Sequence, residues 1–245
     1  MAVQYNQNKD AAKRLFRELI FSPNLAMLFV MNEKGGGTLY DRCLINRLTG
    51  TVNGNPAYSK DIGNFWGLDF DGTGDYVDLG SAAVLDFENN EAFSALCVLD
   101  PNVGGTTSNI LSKRAVTGNQ RGWNWQIAAT TRLPMLILQS TATNRIVITG
   151  DNALTNGTDV MLGFTYTGSV AASGVTLYKN GATDADTDTA DTLTTTIVAT
   201  SSGTIGGVNG ATDLMNGDIG FVALWDGRAL SAVEMRRFAY LGGFL

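Results

Sequence analysis

Aspartates are the commonest residues in this chain that could do chemistry, and their densest run is Asp184-Ala185-Asp186-Thr187-Asp188-Thr189-Ala190-Asp191. Carboxylates at alternate positions open a calcium loop of the EF-hand type, where the first, third and fifth side chains converge on one cation. The rest of that pattern is missing. The sixth position holds Thr189 where the sharp turn needs glycine, and the twelfth holds Thr195 where a bidentate Glu closes the shell. The run therefore reads as a solvated loop.

Other devices are excluded by residue type. The chain has no His, which removes imidazole acid–base work, Ser-His-Asp and Cys-His nucleophiles and His-based metal sites. Gly35-Gly36-Gly37 lacks the Lys-Ser/Thr that completes a phosphate loop and reads as a flexible link. Trp123 and Trp125 alternate with Asn124 and Gln126, so in a strand both indoles share one face. Two such rings could stack on sugars, but Ile127 continues their face and assigns it to the core.

The elements that must position these groups are mostly strands. Charged residues make up 16% of the chain, below the roughly 25% usual for globular proteins, and hydrophobic residues 44%. Candidate strands fall near 25–31, 65–71, 74–79, 92–99, 109–113, 122–129, 133–139, 144–149, 159–167, 174–179, 192–199, 202–206 and 217–226. Turn residues separate them, among them Asn53-Gly54-Asn55-Pro56, Asp71-Gly72 and Asn180-Gly181. Short strands at this spacing indicate an all-β sandwich. Ser231 stands three residues before Glu234, the spacing of a capping box, and starts a short helix with Met235, Phe238, Ala239 and Leu241 on its apolar side.

A second helix is predicted over Lys9–Phe21. Ala12, Leu15, Phe16, Leu19 and Ile20 recur at helical spacing, and Ser22-Pro23 ends the pattern. Two readings stay open: the helix packs on its own sandwich, or it docks on a partner through Lys13, Leu15, Phe16, Arg17, Leu19 and Ile20. Residues 1–60 carry eight Lys/Arg against four Asp/Glu, and the remainder nine against nineteen. The acidic body argues against nucleic-acid binding. Cys43 and Cys97 are too few for a disulfide framework, although a single bridge stays open. Neither an export signal nor a run of about 18 apolar residues is present, so the expectation is synthesis in a cytoplasm and no membrane partner.

Four stretches, in order, resemble laminin-G-like domains of the concanavalin A-like jelly-roll class. Leu28 to Asp41, with Glu33, Gly36 and Asp41, is similar to their opening strand and its continuation. Gly67-Leu68-Asp69-Phe70-Asp71-Gly72-Thr73-Gly74-Asp75-Tyr76-Val77 resembles an early hairpin, and Val175-Thr176-Leu177-Tyr178-Lys179-Asn180-Gly181 a later one. Gly217 to Met235 resembles the last strand and helix. The resemblance implies an all-β fold: a concanavalin A-like two-sheet antiparallel β-sandwich, or jelly roll, with an N-terminal amphipathic helix and a C-terminal helical turn. It divides the chain into an arm and helix over 1–23 and a sandwich over 24–245.

The same resemblance implies a calcium site at the sandwich rim, first at Asp69, Asp71 and Asp75, against the alternative of ordinary turn chemistry. No other cofactor is implied. Glycosidases of this fold set two or three acidic residues along one strand, and the five Glu here (Glu18, Glu33, Glu88, Glu91 and Glu234) form no such run. A non-enzymatic role is therefore expected. Similar domains occur in tailed-bacteriophage virion proteins. The implied function is a virion structural protein, as capsid decoration, head fibre or tail component. Its expected partners are other virion proteins, a homo-oligomer or glycans. The alternative is a lectin-like carbohydrate-binding module outside any particle.

Overall fold

The computed structural model describes residues 12–62, 65–210 and 212–245. Helix α1 covers 12–20. The strands are β1 (Leu25–Val30), β2 (Thr38–Tyr40), β3 (Thr49–Asn53), β4 (Ala57–Ile62), β5 (Phe65–Asp71), β6 (Tyr76–Asp78), β7 (Phe93–Pro101), β8 (Ser108–Arg114) and β9 (Gly122–Ile127). They continue as β10 (Pro134–Thr141), β11 (Asn144–Gly150), β12 (Val160–Tyr166), β13 (Val175–Lys179), β14 (Ala182–Asp184), β15 (Asp186–Asp191), β16 (Thr204–Ile205) and β17 (Asn216–Asp226). Helix α2 spans Ala232–Gly242.

The strands form two antiparallel sheets. One runs β14-β13-β12-β7-β17-β5-β4, with β1 also paired to β17. The other runs β15-β11-β10-β9-β8-β16-β6-β3-β2. Their facing sides close over one core that includes Trp123, Trp125, Phe70, Phe93, Phe164 and Leu224. This is the expected jelly-roll sandwich, with both tryptophans inside. At the Asn180-Gly181 hairpin both residues hold positive φ, 50° and 74°, as its tight turn requires.

Strand β17 sits between β7 and β5, and its apolar run is buried on both faces. Val222 and Leu224 point to the inter-sheet core. Phe221, Ala223 and Trp225 point outward into a second apolar layer. That layer is closed by α1 and α2. The capping box at Ser231 and Glu234 starts α2 as the sequence predicts, and Met235, Phe238 and Ala239 are buried under it. The Phe238 ring stacks on Trp225 at 5.7 Å.

Helix α1 resolves the open question about its apolar stripe, and corrects the partner-binding assignment. Leu15 and Leu19 are completely buried against the sandwich. Phe16 meets Phe65 and Phe221 edge-on at 5.2 and 5.8 Å, and Ile20 packs on the same cluster. Burying one such side chain is worth about 1.5–3 kcal/mol, so these four residues are held by their own sheet, Leu15 and Leu19 fully buried and Phe16 and Ile20 half-buried. Lys13 and Arg17 lie on the exposed side. Ser22 accepts the Trp225 indole N–H at 2.9 Å, which ties the end of the helix to β17. The expected start at Lys9 and the polar arm over 1–8 lie outside the described residues.

Four short strands, β2, β3, β4 and β14, went unrecognised in the sequence. Two further assignments change. Asp186–Asp191 is an edge strand paired with β11, not a loop. The stretch 192–199 is not a strand, although Leu193 and Ile197 still reach the core. Both cysteines are free and buried, Cys43 beneath the helices and Cys97 between the sheets, so no bridge joins them.

Candidate functional site

Two of the three carboxylates expected to hold calcium, Asp71 and Asp75, shape the turn. Asp75 is buried; its two oxygens accept the Asn55 and Asp71 amides at 2.8 and 3.2 Å. Asp71 accepts from the Thr73 amide at 2.6 Å. These are bonds by which Asp shapes a backbone turn. Asp69 instead stands beside Asp218 in the next strand, and Asp218 beside Asp100 in the one after. Among the described residues no group of three His, Cys, Asp or Glu side chains converges as a metal site, which corrects the assignment of Asp69, Asp71 and Asp75 as a ligand set.

The row Asp69–Asp218–Asp100 was not visible in the sequence, because three distant strands assemble it. Burial pushes the Asp69 and Asp100 carboxyls up from their ordinary value, and the neighbouring carboxylates add to the rise. One oxygen each of Asp100 and Asp218 is buried with no hydrogen bond.

The outer face of the other sheet differs in kind. Neither helix packs on it. Alternation along β8 to β11 turns Leu111, Trp125, Leu136 and Ile148 inward and Ser112, Asn124, Ile137 and Val147 outward. Asn109, Arg114, Gln126 and Gln139 stand on the same outward side. The outward face is thus rich in amides, which can both donate and accept. Asn124 donates to Gln126 and accepts from Arg114 at 3.0 Å. Neither polar atom of the fully buried Asn109 side chain has a partner, nor has the Gln139 side-chain oxygen.

Two loops stand over this face. The segments 206–210 and 212–215 are pinned by Ser112, whose hydroxyl donates to the Gly207 carbonyl at 2.8 Å, and by the Asn109 backbone N–H, which donates to the Asp213 carbonyl at 2.8 Å. The segment 115–121 is pinned by Gln139, whose amide donates to the Asn119 carbonyl at 3.0 Å. Between them lies a recess of about 260 Å3 lined by Arg114, Ala115, Val116, Gln120, Val208, Thr212 and Asp213. Burial lowers the Arg114 pKa and raises that of Asp213, each against a smaller opposite pull from the other. The sequence marked Asn124 and Gln126 as facing away from the tryptophans but gave no role to either, and none to Arg114 or Asp213.

A two-sheet jelly roll with helices on one outer face and a recessed polar surface on the other defines a concanavalin A-like sandwich. The chain belongs to the Laminin_G_3 family, described as the concanavalin A-like lectin/glucanases superfamily, whose sequence model matches residues 71–236. No curated protein matches it in sequence. Among solved structures it is similar to the Trypanosoma rangeli sialidase in complex with sialic acid, at 14% identity and a TM-score of 0.61. That match covers 90% of this chain and 33% of the sialidase, so the chain spans about a third of that enzyme's length. It is similar to domain 4 of AbnA, a GH43 extracellular arabinanase from Geobacillus stearothermophilus, in complex with arabinotriose (17% identity, TM-score 0.61, 88% of this chain and 98% of that one). It is also similar to the CBM40 of the Ruminococcus gnavus IT-sialidase bound to α2,3 sialyllactose (18%, 0.53, 72% and 96%). At these identities the likeness is one of fold.

Proposed function

We propose that the protein is a non-catalytic glycan-binding sandwich that takes its ligand on the outer face of the β8–β11 sheet. The observation that carries this reading is a loop-walled recess lined by the polar side chains of Arg114, Gln120, Thr212 and Asp213, on a sheet face that neither helix packs on. These side chains bring both donors and acceptors to the recess, and a sugar is a dense source of both. Two of the sandwiches similar in fold were solved with oligosaccharides, arabinotriose and sialyllactose, which supports the reading. The test is a glycan array probed with the wild-type chain and with Gln120→Ala, which alters a side chain lining the recess. Saturable binding weakened by the substitution supports it, and no binding to any glycan overturns it.

The sequence resemblance adds a place for this activity: display on a tailed-bacteriophage particle, as capsid decoration, head fibre or tail component, after synthesis in the host cytoplasm. With the apolar side of α1 committed to its own sheet, attachment would use another surface. Mass spectrometry of purified particles checks this, and absence of the chain from the particle would favour a free lectin-like module.

A further inference from the structure

We infer that the recess between the 115–121 loop and the residues Val208, Thr212 and Asp213 takes a single uncharged sugar residue, gripped through two neighbouring hydroxyls held between Arg114 and Asp213. This rests on the glycan-binding reading above and names the ligand class of that site.

Arg114 is positioned before any ligand arrives. Its Nε and Nη2 donate to the carbonyl and side-chain oxygens of Gln120 at 3.3 and 2.7 Å, and its Nη1 donates to Asn124 at 3.0 Å. Each terminal nitrogen carries two N–H groups, so among the described residues one on each is left over. Asp213 lines the same recess and feels the guanidinium charge, yet no hydrogen bond or ion pair joins the two. The Asn109 backbone N–H, donating to the Asp213 carbonyl, and the Ser112 hydroxyl, donating to the Gly207 carbonyl, hold the loop that carries Asp213, so the separation is built in.

A guanidinium only donates and an ionised carboxylate only accepts. A group that completes both must accept on one side and donate on the other. A hydroxyl does this, and two on adjacent ring carbons match the two spare N–H groups. A carboxylate-bearing sugar fits badly, because it would satisfy Arg114 while bringing a second negative charge to Asp213, and like charges repel in a partly buried site. Val116 and Val208 supply apolar walls for the ring's C–H groups. The volume falls below the roughly 300 Å3 at which pockets for drug-sized ligands begin, which suits one ring at a chain end.

Saturation-transfer NMR and titration calorimetry with methyl glycosides of galactose, glucose, mannose and arabinose, against those of sialic and glucuronic acid, test this. The wild-type chain should bind at least one neutral glycoside in preference to both acidic ones. Asp213→Ala and the isosteric Asp213→Asn should each weaken it about tenfold or more, the usual effect of losing a hydrogen bond to a charged group, with the melting point unmoved. Preference for an acidic glycoside, strengthened by Asp213→Ala, would overturn the inference. So would neutral binding that survives both Asp213 variants and Arg114→Lys, since the sugar would then sit elsewhere while the glycan-binding reading stood. Failure of the wild type to bind any glycoside or arrayed glycan would overturn both.

Discussion

The two outer faces of the sandwich are built from the same alternating strands and end in opposite fates. Beneath the helices, outward positions carry Phe65, Val98, Phe221, Ala223 and Trp225. On the other sheet they carry Asn109, Ser112, Arg114, Asn124 and Gln126. The difference teaches that what covers a sheet face follows from its outward residues: an apolar face recruits its own helices, whereas an amide-rich face is roofed by polar loops, which leave a recess beside Arg114 and Asp213.

The largest effect should come from exposing the covered face. Removing residues 1–21, or introducing Leu15→Asp with Leu19→Asp, should give an aggregating chain; a soluble, cooperatively folding product would show that the helix is dispensable. Leu19→Ala should cost about 2–5 kcal/mol in urea unfolding. On the polar face, Gln120→Ala at the recess should alter stability by only about 1 kcal/mol while weakening glycan binding, and a stability loss matching that of Leu19→Ala would erase the contrast.

A smaller, opposite effect is expected at the carboxylate row. Asp69 and Asp100 have folded pKa values above the ordinary 3.8. Such groups hold protons more tightly in the folded state, so stability is gained as pH falls into that raised range and lost as pH rises through it. Asp218→Asn removes the central charge, and should raise the melting point at neutral pH and reduce its dependence on pH just above 3.8. A lower melting point in the variant would show that the row is held by something other than repulsion relieved. The smallest effect belongs to the exposed Glu18–Arg237 pair that links α1 to α2 at 2.9 Å. Arg237→Gln should change stability by less than about 1 kcal/mol.

Much of the fold was legible because it is local. Ser231 and Glu234 cap a helix within one turn, Asn180-Gly181 turns a hairpin by its own φ preferences, and Ile127 marks the Trp123–Trp125 face as core. The missed strands β2 and β14 are three residues each, too short for a period to show, and the acidic β15 is an exposed edge whose side chains carry no apolar alternation. The recess was illegible for another reason. Arg114 and Asp213 come from a strand end and a distant loop, and only the pairing of β8 with β9 and β16 brings them together. The resemblance matched residue types at Asp69, Asp71 and Asp75, but the turn claims both oxygens of Asp75, so the three do not gather as one ligand set.

The two thiols give the molecule a pair of internal clocks. Cys43 lies in the layer under the helices and Cys97 in the layer between the sheets, where burial pushes its pKa well above 9.0. A thiol in either place reacts only when its own layer opens. Timed alkylation read by mass spectrometry would therefore separate lifting of the helices from parting of the sheets, in one unmodified chain and without a spectroscopic probe.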